Sequence, residues 1–100
     1  MNFNLLCENF LQDLAIIIEK KDENSNLEID YLDGILKIKI IKNSKTFVIN
    51  RNSGNQKIWY SSPVSGADYF AFDEVLQNWL NAKKIELTQK LLGELQEYFN

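Results

Sequence analysis

Histidine is absent from this 100-residue chain, and cysteine, proline and methionine occur once each. Each gap removes a class of chemistry. Without histidine there is no Ser-His or Cys-His nucleophile pair, no histidine general base and no His-ligated zinc. A lone Cys7 excludes an internal disulfide and any site built from two or four cysteines. A metal bound here would meet only carboxylate, carbonyl and water oxygens, a donor set that suits hard cations and gives weak, exposed sites. Long apolar runs are missing too. Stretches such as Leu14–Ile18 fall far short of the roughly 20 residues that cross a bilayer, so no membrane association is expected. The first residues carry neither a basic segment leading into a long apolar one nor the Arg/Ser-rich character of a transit peptide. A complete cytosolic chain of bacterial cytoplasm is therefore expected, although a processed mitochondrial chain would read the same.

What is present suits a soluble globular domain, with 45% hydrophobic and 25% charged residues. One domain spanning residues 1–100 is expected, with a core of modest size. Charge is unevenly spread. Up to Asp33 there are eight acids against Lys20 and Lys21, a net of −6, whereas from Gly34 onward nine bases face six acids, a net of +3. An acidic N-terminal third argues for cations or a basic protein surface as partner, and against nucleic acid. Lys37, Lys39 and Lys42 are interleaved with aliphatic residues and not with aromatic stacking platforms, so they read as the solvated face of a sheet.

Phe3, Leu6, Cys7, Phe10, Leu11, Leu14, Ile17 and Ile18 recur at steps of three and four, which predicts an amphipathic helix from about Asn2 to Lys21. Ile16 falls on its polar face, either exposed or covered by a partner. Leu27, Ile29 and Tyr31 alternate with Glu28, Asp30 and Leu32 in a first strand, and Asp33-Gly34 signals a tight hairpin. Ile35–Ile41 follows, with Leu36, Ile38 and Ile40 on one face. Phe47–Ile49 and Ile58–Tyr60 flank the turn-forming residues Asn50 to Asn55, a second hairpin with Gly54 at its tip, closed by Pro63 and Ser65-Gly66. Tyr69, Phe70 and Phe72 suggest a fifth strand, and Leu76–Leu80 either a sixth strand or the start of a helix. A last amphipathic helix is expected from about Lys84 to the end at Asn100, with Gly93 inside it pointing to a close packing contact. The expected class is α+β: a two-layer α/β sandwich, an antiparallel sheet of five to six strands with the N- and C-terminal helices packed on one face.

Candidate site residues come from charge and alternation. Glu19 and Glu23 are spaced i, i+4, and Glu19 and Asp22 i, i+3, so a continued helix would let them share a cation. Alternation places Ile58 and Tyr60 on the buried face, which turns Trp59 outward with Asn50 close by on the neighbouring strand. An outward tryptophan among polar neighbours is a common anchor of protein interfaces. Cys7 lies on the apolar stripe as an inert buried thiol, and Trp79 reads as structural.

The central residues also resemble a known family. Val48-Ile-Asn-Arg, then Gln-Lys-Ile-Trp-Tyr-Ser-Ser-Pro-Val-Ser-Gly66, is similar to the signature of the frataxin family in its bacterial CyaY branch. Gly34-Ile-Leu-Lys-Ile resembles that family's second strand, and Trp79 followed by Leu91-Leu-Gly-Glu-Leu95 its C-terminal segment. The resemblance implies an iron-binding regulatory adaptor of iron–sulfur cluster assembly. It would dock on the cysteine desulfurase and its scaffold protein, and would be a monomer and not an enzyme. It further implies a weak iron site, Fe²⁺ or Fe³⁺, on an acidic ridge, with Glu8, Glu19, Asp22, Glu23 and Glu28 as the carboxylates. Partner contacts would come from Asn50, Lys57 and Trp59 on the sheet and from Glu19 and Asp22 on the ridge. Lys57 stands where the family usually has Gln, and Ala15, Ile16, Lys20 and Asn26 stand where acids are common. Two other readings remain beside the adaptor: an iron chaperone or donor with weak ferroxidase-like handling, and a structural interaction domain without metal.

Overall fold

The structure, a computed structural model, describes residues 2–99. Helix α1 (Phe3–Lys21) buries Phe3, Cys7, Leu11, Leu14 and Ile18, the stripe that the 3.6-residue period predicts. The Asn2 side chain caps it by accepting from the Leu5 N–H, and Lys20 and Lys21 sit in the last turn, where cations complement the helix dipole. Ile16 is 50% exposed, so no part of the described chain covers it fully. The helix stops at Lys21 because Asp22 leaves helical geometry and turns its carboxylate to the chain ahead. Its two oxygens accept from the Asn26 N–H at 2.8 Å and the Leu27 N–H at 3.0 Å, which fixes the entry into the sheet.

The sheet is a six-stranded antiparallel meander in sequence order: β1 (Leu27–Leu32), β2 (Ile35–Ile40), β3 (Thr46–Asn52), β4 (Lys57–Ser62), β5 (Gly66–Asp73) and β6 (Asn78–Leu80). Asp33 and Gly34 have φ of 55° and 82°, the two left-handed residues that a two-residue hairpin turn needs. The left-handed φ favours glycine at Gly34, where a Cβ would also stand 2.9 Å from the Arg51 guanidinium carbon and push that flexible side chain aside. The β3–β4 hairpin is tighter than the sequence suggests. Asn50, Arg51 and Asn52 pair with Trp59, Ile58 and Lys57, so they belong to the strand, and the left-handed turn residue is Gln56 and not Gly54. Leu76–Leu80 resolves as the short strand β6, which begins at Asn78.

One sheet face is apolar, with Leu36, Ile38, Ile40, Phe47, Ile49, Ile58, Tyr60, Phe70 and Trp79 buried beneath the helices. Trp79 meets Phe72 at 5.3 Å, Phe10 at 5.8 Å and Phe3 at 5.9 Å between ring centroids, joining β5 and β6 to the first half of α1. The second helix, α2 (Leu87–Leu95), starts three residues later than its periodicity predicts. Lys84 is left-handed at φ 65°, and the Asn81 carboxamide oxygen accepts from the Lys83 and Ile85 N–H groups, so the chain turns there before the Glu86 side chain caps the helix. Past Leu95 the chain tightens into a 3₁₀ turn, Gln96–Tyr98; the expected helix end at Asn100 lies outside the described residues.

Gly93 is not held by packing, contrary to expectation, because a Cβ there meets nothing within 4 Å. Gly93→Ala should therefore stabilise the fold by up to about 1 kcal/mol, the helix-propensity difference. Chemical denaturation of the two proteins checks this.

Candidate interaction site

The solvent-facing side of the sheet carries a continuous cross-strand row. Leu32 on β1 pairs with Ile35 on β2, Ile35 with Asn50 on β3, Asn50 with Trp59 on β4, and Trp59 with Tyr69 on β5. Strand alternation puts all five side chains on the face away from the helices. Leu32 is 73% exposed and Tyr69 43%, while Ile35, Asn50 and Trp59 are half-buried by one another and by the flanking rows. Directly opposed side chains on a sheet stand close enough to form one surface. Trp59 thus sits outward beside Asn50, as alternation predicts, in a patch that also draws in Leu32, Ile35 and Tyr69. Lys57 pairs with Asn52 one position along, exposed at the border of the patch. Tyr69 and Leu32 were accessible to the same alternation rule, but only the strand register shows that they share a row with Trp59.

The acidic residues are more scattered. Glu8 and Glu19, on α1, lie eleven residues apart, about 16 Å along a helix. Glu8 is half-buried near the Tyr31 phenol, whose pKa is raised by burial and then by the Glu8 carboxylate. Glu28 projects from the outer face of β1 and pairs with Lys39 at 4.0 Å. Glu19 and Glu23 are both exposed, but α1 ends at Lys21, so the helical spacing that would let them share a cation does not extend to Glu23. Asp22 is 8% exposed with both oxygens holding backbone N–H groups. It serves as a structural cap at the entry to β1 and offers little surface to a ligand. No group of three or more acidic or cysteine side chains converges among the described residues. As a donor set, the ridge could hold a cation through one or two carboxylates with water completing the shell.

A polar cluster that the sequence reading missed lies between α2 and the sheet. The Tyr60 hydroxyl donates to Glu94 Oε1 at 2.6 Å, and Ser62 donates to the same oxygen at 2.7 Å. Lys90 reaches Asp68 Oδ2 at 3.3 Å, shares that oxygen with the Asn81 amide, and stands 5.5 Å above the Tyr60 ring. The available signal was Tyr60 itself, since a buried tyrosine hydroxyl needs a partner. Burial alone would raise both carboxyl pKa values. Donation from Tyr60, Ser62 and Ser65 to Glu94, and from Asn81, the Tyr69 N–H and Lys90 to Asp68, outweighs it and holds both below their ordinary range. The unfolded chain then takes up protons first as the pH falls. Stability from this cluster is complete above the ordinary values of 4.5 and 3.8 and is lost as the pH drops through and below them. At the alkaline end, burial lifts the Cys7 thiol from 9.0 to about 11 against the opposing Arg51 charge, so stability declines across that interval. Thermal unfolding followed against pH should show both limbs, with the acid limb shallower in Glu94→Gln.

A two-layer α+β sandwich with both helices on one face and an open, partly apolar outer sheet defines the class of this molecule. The chain belongs to the frataxin family, whose frataxin-like domain model matches residues 1–100. Mitochondrial frataxin of Dictyostelium discoideum is 37% identical over 89 residues, covering 88% of this chain and 45% of that protein. Its counterpart in Arabidopsis thaliana is 32% identical over 95 residues, covering 92% of this chain and 50% of that protein. The Drosophila melanogaster homologue is 32% identical over 70% of this chain and 39% of its own length. The chain thus spans half or less of the length of these relatives. Among solved structures, trimeric frataxin from Saccharomyces cerevisiae, crystallised in complex with ferrous iron, superposes with a TM-score of 0.78 at 22% identity, covering 94% of this chain and 85% of that one. Frataxin from Psychromonas ingrahamii, of the CyaY family, gives 0.72 at 20% identity, over 97% of this chain and 90% of that one. No helix among the described residues is long and apolar enough to cross a membrane.

Proposed function

We propose that this chain is a non-enzymatic regulatory adaptor of iron–sulfur cluster assembly, docking on the cysteine desulfurase and its scaffold protein through the outer sheet face. The observation that carries the reading is the cross-strand row Asn50–Trp59–Tyr69, a half-buried tryptophan presented to solvent between two hydrogen-bonding side chains. A large aromatic so placed can be fully desolvated by a partner, and such anchors supply most of the affinity in an interface. The residues up to Asp33 carry a net charge of −6, to which the exposed Glu19 and Glu23 contribute beside Lys20 and Lys21, and that overall negative field suits a basic surface on the partner and favours fast, oriented encounter. Lys57, at the border of the row, joins the contact surface. The double variant Glu19→Lys with Glu23→Lys should slow association with purified desulfurase by about 10-fold at low ionic strength, with the difference shrinking in high salt. An unchanged association rate would remove the ridge from the interface. Asp22 is left intact in this test because its loss would unfasten β1.

Iron as a carried ion is the second reading, supported by the ferrous complex of the yeast relative. The spread of Glu8, Glu19, Glu23 and Glu28 gives a water-rich, loosely held ion and not a closed cage. Anaerobic calorimetry with Fe²⁺ should give a dissociation constant of roughly 0.1–1 mM, the range of carboxylate sites that leave much of the shell to solvent. Binding tighter by orders of magnitude would favour iron delivery over the adaptor role.

A further inference from the structure

The two edges of the sheet are treated differently by the sequence. At one edge β6 is only three residues long, and Leu80 at its end is bridged by Glu86 from the chain that follows. At the other edge β1 runs for six residues, in unbroken register with β2, and contains no proline, glycine or bulge. Among the described residues no strand pairs with its far side. Long, straight edges of this kind are templates for strand addition unless the sequence blocks them.

Hydrogen-bond direction identifies the open groups. The Leu27 N–H turns away from β2 to reach Asp22, whereas the Asn26 carbonyl bonds the Ile41 N–H on the β2 side. Backbone groups alternate along a strand, so Glu28, Asp30 and Leu32 bond towards β2, and Ile29 and Tyr31 direct their N–H and C=O groups outward. For an antiparallel newcomer, Glu28 and Asp30 then occupy the non-hydrogen-bonded sites, where opposed side chains approach closest, about 4.5 Å between Cα atoms. Their side chains lie on the outer sheet face, and on β2 they are opposed by Lys39 and Lys37. A lysine or arginine on the other flank would continue that alternation of charge across the sheet, and an apolar residue would cover Leu32, which is 73% exposed. A second copy of β1 fits poorly, because antiparallel self-pairing would oppose carboxylate to carboxylate.

We propose that the free edge of β1 is a strand-addition site for an extended, basic peptide segment, read antiparallel as apolar-x-basic-x-basic opposite Leu32, Asp30 and Glu28. Main-chain bonds to Ile29 and Tyr31 supply the register and the two carboxylates the selectivity, the division of labour usual in strand addition. The site lies on β1, three strands from Trp59 on β4, and shares only Leu32 with the outer-face row.

The test uses the full chain and two capped peptides, Leu-Thr-Lys-Val-Lys and Leu-Thr-Glu-Val-Glu, with binding followed by NMR titration and amide hydrogen exchange. The lysine peptide should bind at least about 10-fold more tightly than the glutamate peptide and should slow exchange at the Ile29 and Tyr31 amides. The double variant Glu28→Lys with Asp30→Lys, both surface positions, should reverse the preference. Trp59→Ala should leave peptide binding unchanged, which separates this site from the Trp59 anchor of the row with which it shares Leu32. Absence of binding, binding without added protection at Ile29 and Tyr31, or self-association of the chain through β1 would each overturn the proposal.

Discussion

Trp79→Ala is expected to cost about 3–5 kcal/mol of folding free energy, the range for removing a buried large aromatic. The indole is 2% exposed and is the point where Phe3 and Phe10 of α1 meet Phe72 of β5. Alanine there leaves a cavity between helix and sheet and deprives three rings of their edge contacts at once. Because a domain of this size holds a total of roughly 5–15 kcal/mol, the variant should retain only a fraction of its stability. Its melting temperature should fall by about 15 °C or more. Any loss of partner binding should then disappear at temperatures where the variant remains folded. A drop of less than about 1 kcal/mol would mean that this cluster does not hold α1 to the sheet.

Trp59→Ala should behave in the opposite way. Its side chain lies on the outer face, opposed by Asn50 and Tyr69, so the fold loses only cross-strand contacts, worth about 1 kcal/mol or less. As the anchor of the proposed interface it should cost about 2 kcal/mol of binding, roughly a 30-fold weaker dissociation constant for the desulfurase. Tyr69→Ala and Leu32→Ala, in the same row, should each cost less, with Tyr69 the larger because it directly opposes Trp59. The two variants should thus separate stability from recognition within one chain.

The strands were readable because period-two alternation and turn chemistry agree at β1, β2 and the Asp33-Gly34 turn, where local preference and tertiary pairing want the same thing. Helix α1 was readable for the same reason. Boundaries failed where a side chain overrode the local pattern. Asn50–Asn52 carry turn-forming residues yet extend β3, because pairing with Trp59, Ile58 and Lys57 satisfies their backbone. Helix α2 starts late because Asn81 captures the Lys83 and Ile85 N–H groups. Asp22 counted as a ridge carboxylate by spacing, but its position just past the last helical turn gives it a capping task that spacing cannot show. The Tyr60–Glu94 bond joins residues 34 apart in sequence and depends on how α2 lies across β4, information no local pattern carries. At the candidate site, Trp59 and Asn50 were legible as outward neighbours. Their extension to Leu32, Ile35 and Tyr69 needed the register of all five strands.

The most direct test of the docking face is the dissociation constant of purified cysteine desulfurase for the wild-type chain and for Trp59→Ala, measured side by side at physiological salt, with thermal unfolding of both proteins as the control for folding. A roughly 30-fold weaker interaction with a nearly unchanged melting temperature is the expected result. Equal affinity of the two folded proteins would contradict the assignment of the outer sheet face as the partner surface.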